Sequence, residues 1–206
     1  MARSPDGPIR QLLPAVFFDR DGVINVSPGR DQFVLSWGMF RFVPGAAEQL
    51  RRLKERGFFL VLVTNQSGVG RGLMARETLE DIHRRMQAAL GASAFDALYY
   101  CPHHPDDGCR CRKPSPWLVL RACEEHGLDP RGSFLVGDSA RDIEMGRAAG
   151  CRTVFCGEFR EFRGHDPDFQ TAGNRVMSPE GRPDHRARTL RAAVEWILGE
   201  GNRVIG

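Results

Sequence analysis

No stretch of these 206 residues approaches the roughly 18 consecutive apolar positions of a membrane span. A secretory leader is not expected either. Met1 to Pro14 carries arginines but no apolar core, and Val16-Phe17-Phe18 is too short to supply one. A large charge of one sign is also missing. The formal net charge is +3, which suits a small anionic substrate and gives no reason to expect a nucleic-acid partner. Internal repeats are absent too. What remains, 41% apolar and 27% charged residues, is the composition of a water-soluble globular chain with a core of ordinary size. A single domain in the cytoplasm, acting as a monomer, is the expectation. The six cysteines then sit in a reducing compartment, where clustered thiols more often hold metal than form disulfides.

Short apolar runs alternate with helical periodicity. Strands are expected at Ala15–Phe18, Phe58–Val63, Ala97–Tyr100, Ser133–Val136 and Arg152–Cys156. Helices are expected at Pro44–Arg56, stopped by Gly57, and at Arg76–Leu90, Pro116–His126, Ser139–Ala149 and Ala187–Leu198. This alternation implies an α/β fold with a doubly wound, mostly parallel sheet. Residues 1–13 read as a loose arm and 157–186 show no periodicity. Ile24–Phe42 is long for a connection and reads as a lid or substrate loop. His83 is expected to be solvated or at the core's edge, and Arg186, Arg188 and Arg191 to form a solvated face.

Polar motifs follow the apolar runs. Asp19-Arg20-Asp21-Gly22 ends the first strand, Thr64-Asn65-Gln66-Ser67-Gly68 the second, and Gly137-Asp138 the fourth. Parallel strands place their carboxyl ends on one edge, where such sheets bind ligands, so Asp19, Thr64 and Asp138 should converge. Asp19 is the candidate nucleophile toward phosphorus, forming an aspartyl-phosphate. Asp21, two residues on, is the candidate general acid and base. Thr64 and Lys113 are candidate partners for the phosphoryl oxygens. A carboxylate cannot approach a phosphate without a cation, and Mg²⁺ fits oxygen donors: the side chains of Asp19 and Asp138 with the backbone carbonyl of Asp21. Asp142, one turn beyond Asp138, is expected to ligate through water or to orient Lys113.

Cys101, His103, His104, Cys109 and Cys111 offer three thiols and an imidazole within eleven residues. That set closes a structural Cys₃His zinc site, with spacing leaving His103 and His104 as alternatives. Cys109 and Cys111 are too close for a ready mutual disulfide. Cys123, Cys151 and Cys156 are expected to be small core residues.

These motifs resemble the haloacid dehalogenase (HAD) superfamily of phosphatases. DRDG at 19–22, the Thr of TNQSG at 64–68, Lys113 and GDSARD at 137–142 carry the likeness from about residue 15 to 156. The resemblance implies a HAD-like, Rossmann-like fold without a large cap, and gives Asp19, Asp21 and Asp138 the roles just derived. DRDGVIN, TNQSGVGRG and CPHH…CRCRKP look like the D-glycero-D-manno-heptose 1,7-bisphosphate 7-phosphatases and their relatives, the histidinol-phosphate phosphatases. It follows that a heptose 1,7-bisphosphate, for cell-surface polysaccharide or a natural product, is the expected substrate, and histidinol phosphate the rival. A non-catalytic sugar-phosphate binder is the rival of another class, disfavoured because it has no use for Asp21. The resemblance also counts Arg20 among the substrate-binding residues and gives the substrate's remote end to Ser27–Arg30, Asn65, Gln66, Ser67 and Arg112. One departure is the apolar segment Phe33–Phe40, where the family is polar.

Overall fold

The computed structural model describes residues 12–29, 32–157 and 182–201. Most of the expected arm, most of the aperiodic segment and the candidate Arg30 lie outside the described residues. Six strands form one all-parallel sheet: β1 Ala15–Phe18, β2 Phe59–Asn65, β3 Ala97–Cys101, β4 Phe134–Gly137, β5 Arg152–Cys156 and β6 His185–Ala187, in the order β3-β2-β1-β4-β5-β6. Among the described residues five α-helices cover it: α1 Ala46–Lys54, α2 Arg76–Leu90, α3 Trp117–His126, α4 Ala140–Ala149 and α5 Leu190–Gly201.

The inner strands β1, β2 and β4 are mostly apolar because both their faces are covered, as parallel sheets require. Their period-2 alternation sorts each strand between two layers. Val16, Phe18, Leu60, Leu62 and Val136 pack with Leu50, Ile82, Met86, Val194 and Ile197 of α1, α2 and α5. Ala15, Phe17, Val61, Val63 and Leu135 pack with Leu118, Val119 and Met145 of α3 and α4. Each fully buried Leu or Phe contributes about 1.5–3 kcal/mol by leaving water, and these strands are built of them.

Several boundaries shift from expectation, two of them for identifiable physical reasons. Pro44-Gly45 forms a turn, Gly45 standing at φ +76°, so α1 begins at Ala46. β6 has no apolar run to announce it. Asp184 instead accepts from Thr153 N at 2.7 Å and Thr153 Oγ1 at 2.8 Å, clamping the short strand to β5. The expected closing helix therefore starts at Leu190, three residues late. The segment Phe33–Phe40 is a packed loop: Trp37 stacks on Phe40 at 5.1 Å and Phe40 meets Phe42 edge-on at 5.0 Å. Among the described residues no large cap covers the strand ends, and no described helix is long and apolar enough to cross a membrane.

Candidate active site and metal centres

Register brings the expected residues together. Phe18 pairs with Leu62 on one side and Val136 on the other, so Asp19, Thr64 and Asp138 leave the same edge, where the strand order reverses around β1. Asp19 N donates to Val136 O at 3.0 Å, fixing the first turn beyond β1. The next turn needs Gly22. It stands at φ +86°, and a Cβ there would come within 1.9 Å of Asp138 Oδ2. Asp138 thus lies against the Asp21–Gly22 backbone.

Lys113 is buried between two carboxylates, its Nζ 2.8 Å from Asp19 Oδ1 and 2.6 Å from Asp142 Oδ1. The peptide that follows it, Lys113–Pro114, is cis. Burial alone would lower the lysine's pKa, but Asp142 and Asp19 outweigh it and push it above its ordinary value. Asp19 is pushed up to about 6, mainly by burial, with Lys113 pulling it back and Asp142 and Asp21 adding repulsion. Lys113 Nζ is the described partner of Asp19 Oδ1, a charged donor at 2.8 Å.

Ligand atoms of Asp19, Asp138 and Asp142 all lie within 4.8 Å of one another. Both oxygens of Asp142 are engaged. Oδ1 receives Lys113, and Oδ2 accepts from Ser139 N at 3.1 Å and Ser139 Oγ at 2.5 Å in the capping box of α4. Asp19 and Asp138 then supply the one or two carboxylates typical of Mg²⁺, so the donor set fits that ion.

Asp21 is held from several sides. Arg20 Nη2 donates to its Oδ1 at 3.0 Å and its Oδ2 at 2.9 Å, Asn25 Nδ2 to Oδ1 at 2.9 Å, and Gln66 Nε2 to Oδ2 at 2.8 Å. Burial would raise its pKa, yet the Arg20 charge and these hydrogen bonds prevail and hold it below the usual carboxylate range. Thr64 is buried beside it, its Oγ1 accepting from Gln66 Nε2 at 3.1 Å.

Several expected substrate contacts have other partners. Arg20 has no exposed surface, so its guanidinium cannot reach a substrate from this position; it is turned onto Asp21. The Gln66 amide nitrogen serves Asp21 and Thr64. Asn65 Oδ1 accepts from Lys113 N at 3.1 Å and so ties the lysine's backbone to β2. Ser67 is buried and Ser27 exposed. Arg112 Nη1 is buried without a hydrogen-bond partner. Two residues at the site were not anticipated. Asn25 lies four residues past Asp21 in the same motif. His83, expected near solvent or the core's edge, is buried against Arg20.

The cysteine cluster has the dimensions of a metal site. Cys101 Sγ lies 3.6 Å from His103 Nδ1 and 3.5 Å from Cys109 Sγ, and Cys111 Sγ lies 3.2 Å from His103 Nδ1 and 3.6 Å from Cys109 Sγ. Ideal Zn–S and Zn–N bonds of about 2.3 and 2.0–2.1 Å set tetrahedral edges of roughly 3.5–3.8 Å, so the four donors fit zinc. The histidine alternative is resolved by geometry: His103 joins the thiols, whereas His104 caps a turn, accepting from Asp106 N at 3.3 Å. Cys151 and Cys156 are buried as expected, and Cys123 is partly so.

This loop is fastened to the second motif. Gln66 N donates to Cys101 O at 2.7 Å and Gly70 N to Pro102 O at 2.8 Å. A Cβ on Gly70 would lie 2.2 Å from His104 N, so only glycine permits this approach.

A model of haloacid dehalogenase-like hydrolases matches residues 30–150, and a second, HAD-hydrolase-like model matches residues 110–193. The chain belongs to the haloacid dehalogenase-like hydrolase family. Within it, the chain is 40% identical to D-glycero-beta-D-manno-heptose-1,7-bisphosphate 7-phosphatase of Yersinia pestis over 197 residues, 91% of each chain. It is 36% identical to the D-glycero-D-manno-heptose-1,7-bisphosphate 7-phosphatase of Thermosynechococcus vestitus, over 89% of this chain and 95% of that one. Among solved structures, D,D-heptose 1,7-bisphosphate phosphatase from B. bronchiseptica, complexed with magnesium and phosphate, matches with a TM-score of 0.75 at 35% identity, covering 91% of this chain and 99% of that one. The corresponding enzyme from Burkholderia thailandensis matches with a TM-score of 0.60 at 30% identity, covering 90% and 98%.

Proposed function

We propose that this chain hydrolyses the 7-phosphate of D-glycero-D-manno-heptose 1,7-bisphosphate, releasing heptose 1-phosphate and inorganic phosphate. The observation that carries the reading is the convergence of Asp19, Asp138 and the Lys113–Asp142 pair on one sheet edge. The 40% identity to a relative of that activity over 91% of the chain supports the choice of sugar.

An oxygen of Asp19 attacks phosphorus while the bond from phosphorus to the sugar oxygen breaks, and protonated Asp21 gives its proton to the departing oxygen. An aspartyl-phosphate remains. Water then attacks phosphorus, Asp21 takes the proton, and Asp19 leaves as a free carboxylate beside inorganic phosphate. Asp21 stands charged in the structure; a phosphate arriving next to it adds negative charge and raises its affinity for the proton the first step needs. Mg²⁺, held by Asp19, Asp138 and the Asp21 carbonyl, would supply the positive charge that lets an anionic nucleophile meet an anionic ester. Lys113 and the Thr64 hydroxyl hold the phosphoryl oxygens. Asp142 and Asn65 aim Lys113, and Gln66 steadies Asp21. Arg112, with its unpaired Nη1, binds the 1-phosphate, and Ser27, Arg30 and Ser67 complete that end. Zinc at Cys101, His103, Cys109 and Cys111 is structural, having no open position. The reading takes the enzyme to be a cytoplasmic monomer.

Side-by-side kinetics test the substrate. The kcat/KM for heptose 1,7-bisphosphate should exceed that for histidinol phosphate by about 10²-fold or more, since a site that pairs a second anion rejects a substrate lacking it. Equal or reversed values overturn the sugar assignment. Asp21→Asn should slow single-turnover hydrolysis by about 10²–10⁴-fold with substrate affinity unchanged. A change in affinity alone would contradict the acid and base role.

A further inference from the structure

Among the described residues Arg20 is the largest fully buried side chain, and in sequence it stands between the two proposed catalytic carboxylates. Burying an ion pair seldom stabilises more than packed apolar groups of the same volume, so stability alone does not account for it. One edge of the guanidinium is spent on Asp21 through Nη2, with Nε reaching Oδ1 at 3.3 Å. The opposite edge carries Nη1, and it lies 3.2 Å from His83 Nε2.

His83 stands on the apolar stripe of α2, 5% exposed, with its ring edge-on to Tyr100 at 5.5 Å between centroids. Burial and the Arg20 charge push its pKa down to about 3, so the ring is neutral. A neutral ring facing an N–H at Nε2 carries its proton on Nδ1, and Nε2 is the acceptor. The guanidinium is thereby gripped at both edges, and its plane, together with Asn25 and Gln66, sets where the two Asp21 oxygens lie.

From this geometry we infer that His83 is a positioning residue for Asp21, acting through Arg20. The inference rests on the reading of Asp21 as the acid and base. Neither Arg20 nor His83 touches substrate in this scheme. His83 accepts from Nη1, Arg20 holds the carboxylate, and the carboxylate is thereby aimed at the departing oxygen. Misplacing a reacting group by an ångström costs up to about 10²-fold in rate, so a partial release of Arg20 should be visible in turnover.

The test compares His83→Leu, which keeps bulk but removes the acceptor, with His83→Gln, which returns an amide oxygen. On heptose 1,7-bisphosphate, His83→Leu should lower kcat by about 10-fold with KM within about 2-fold, and His83→Gln should recover most of the loss. The same substitution made on Asp21→Asn should cost nothing further, because the group being positioned is already disabled. Wild-type kcat in His83→Leu, or the same fractional loss in both backgrounds, overturns the proposal. Should His83→Leu fail to fold, His83→Asn replaces it, its acceptor withdrawn by one methylene; kcat equal to that of His83→Gln then overturns the proposal. Wild-type protein assayed in parallel separates the two claims. If it hydrolyses neither this ester nor p-nitrophenyl phosphate, the proposed function itself fails; if it is active and indifferent to His83, only the positioning role does.

Discussion

Asp19→Asn is expected to lower turnover by about 10⁴-fold or more while the protein stays folded. The amide keeps the size of the side chain but cannot attack phosphorus, and removing a covalent nucleophile costs on this scale in enzymes that depend on one. Burial already opposes the charge on Asp19, and both Asp142 and Asp21 repel it. Neutralising it therefore relieves repulsion while weakening one of the two ion pairs of Lys113. Thermal unfolding should shift little in either direction, in keeping with a residue held for chemistry at some cost in stability. Initial rates and a melting curve on the same preparation check both halves. Substantial residual turnover would remove Asp19 from the nucleophile's role.

Stripping the zinc should have the second large effect. Purified protein should carry about one zinc per chain, bound as thiolates. Chelation, or Cys109→Ser, should lower the melting temperature and reduce turnover by about 10²-fold, although no ligand of that ion belongs to the reacting set. The route is structural: Cys101 O receives Gln66 N, Pro102 O receives Gly70 N, and Asn65 receives Lys113 N. Loosening residues 101–113 lets Lys113 and Gln66 drift from Asp19 and Asp21, and drift of that size is costly. Hydrogen exchange should quicken at the Gln66 and Gly70 amides. Full activity and unchanged melting after the metal is gone would show that the loop holds its shape without it.

Much of this was readable from residue order alone. β1, β2 and β4 are apolar because helices cover both their faces, so their ends, and with them Asp19, Thr64 and Asp138, could be placed on one edge. Lys113 came with the family resemblance, Asp142 from its place one turn beyond Asp138, and the three thiols from their clustering. The rest depended on which polar group turns inward, and linear order does not decide that. Arg20 looks like a substrate contact until its burial against Asp21 is seen. Gln66 and Asn65 look like contacts for the substrate's remote end until they are found to hold Asp21 and Lys113. His83 carried a faint signal: it lies four residues after Leu79 and three before Met86, on the buried stripe of α2. A histidine on such a stripe meets whatever the opposite layer presents, here an arginine that periodicity could not supply. β6 was hidden for another reason, since its three residues owe their place to Asp184 and Thr153 and not to an apolar pattern.

The most direct measurement is peptide mass spectrometry on enzyme quenched with acid during steady-state turnover of heptose 1,7-bisphosphate. A single added phosphoryl group should be found on the peptide carrying Asp19, and none on the same peptide from Asp19→Asn protein. Phosphate released at the normal rate with no adduct trapped at any quench time, or an adduct on a different side chain, would contradict the covalent route through Asp19.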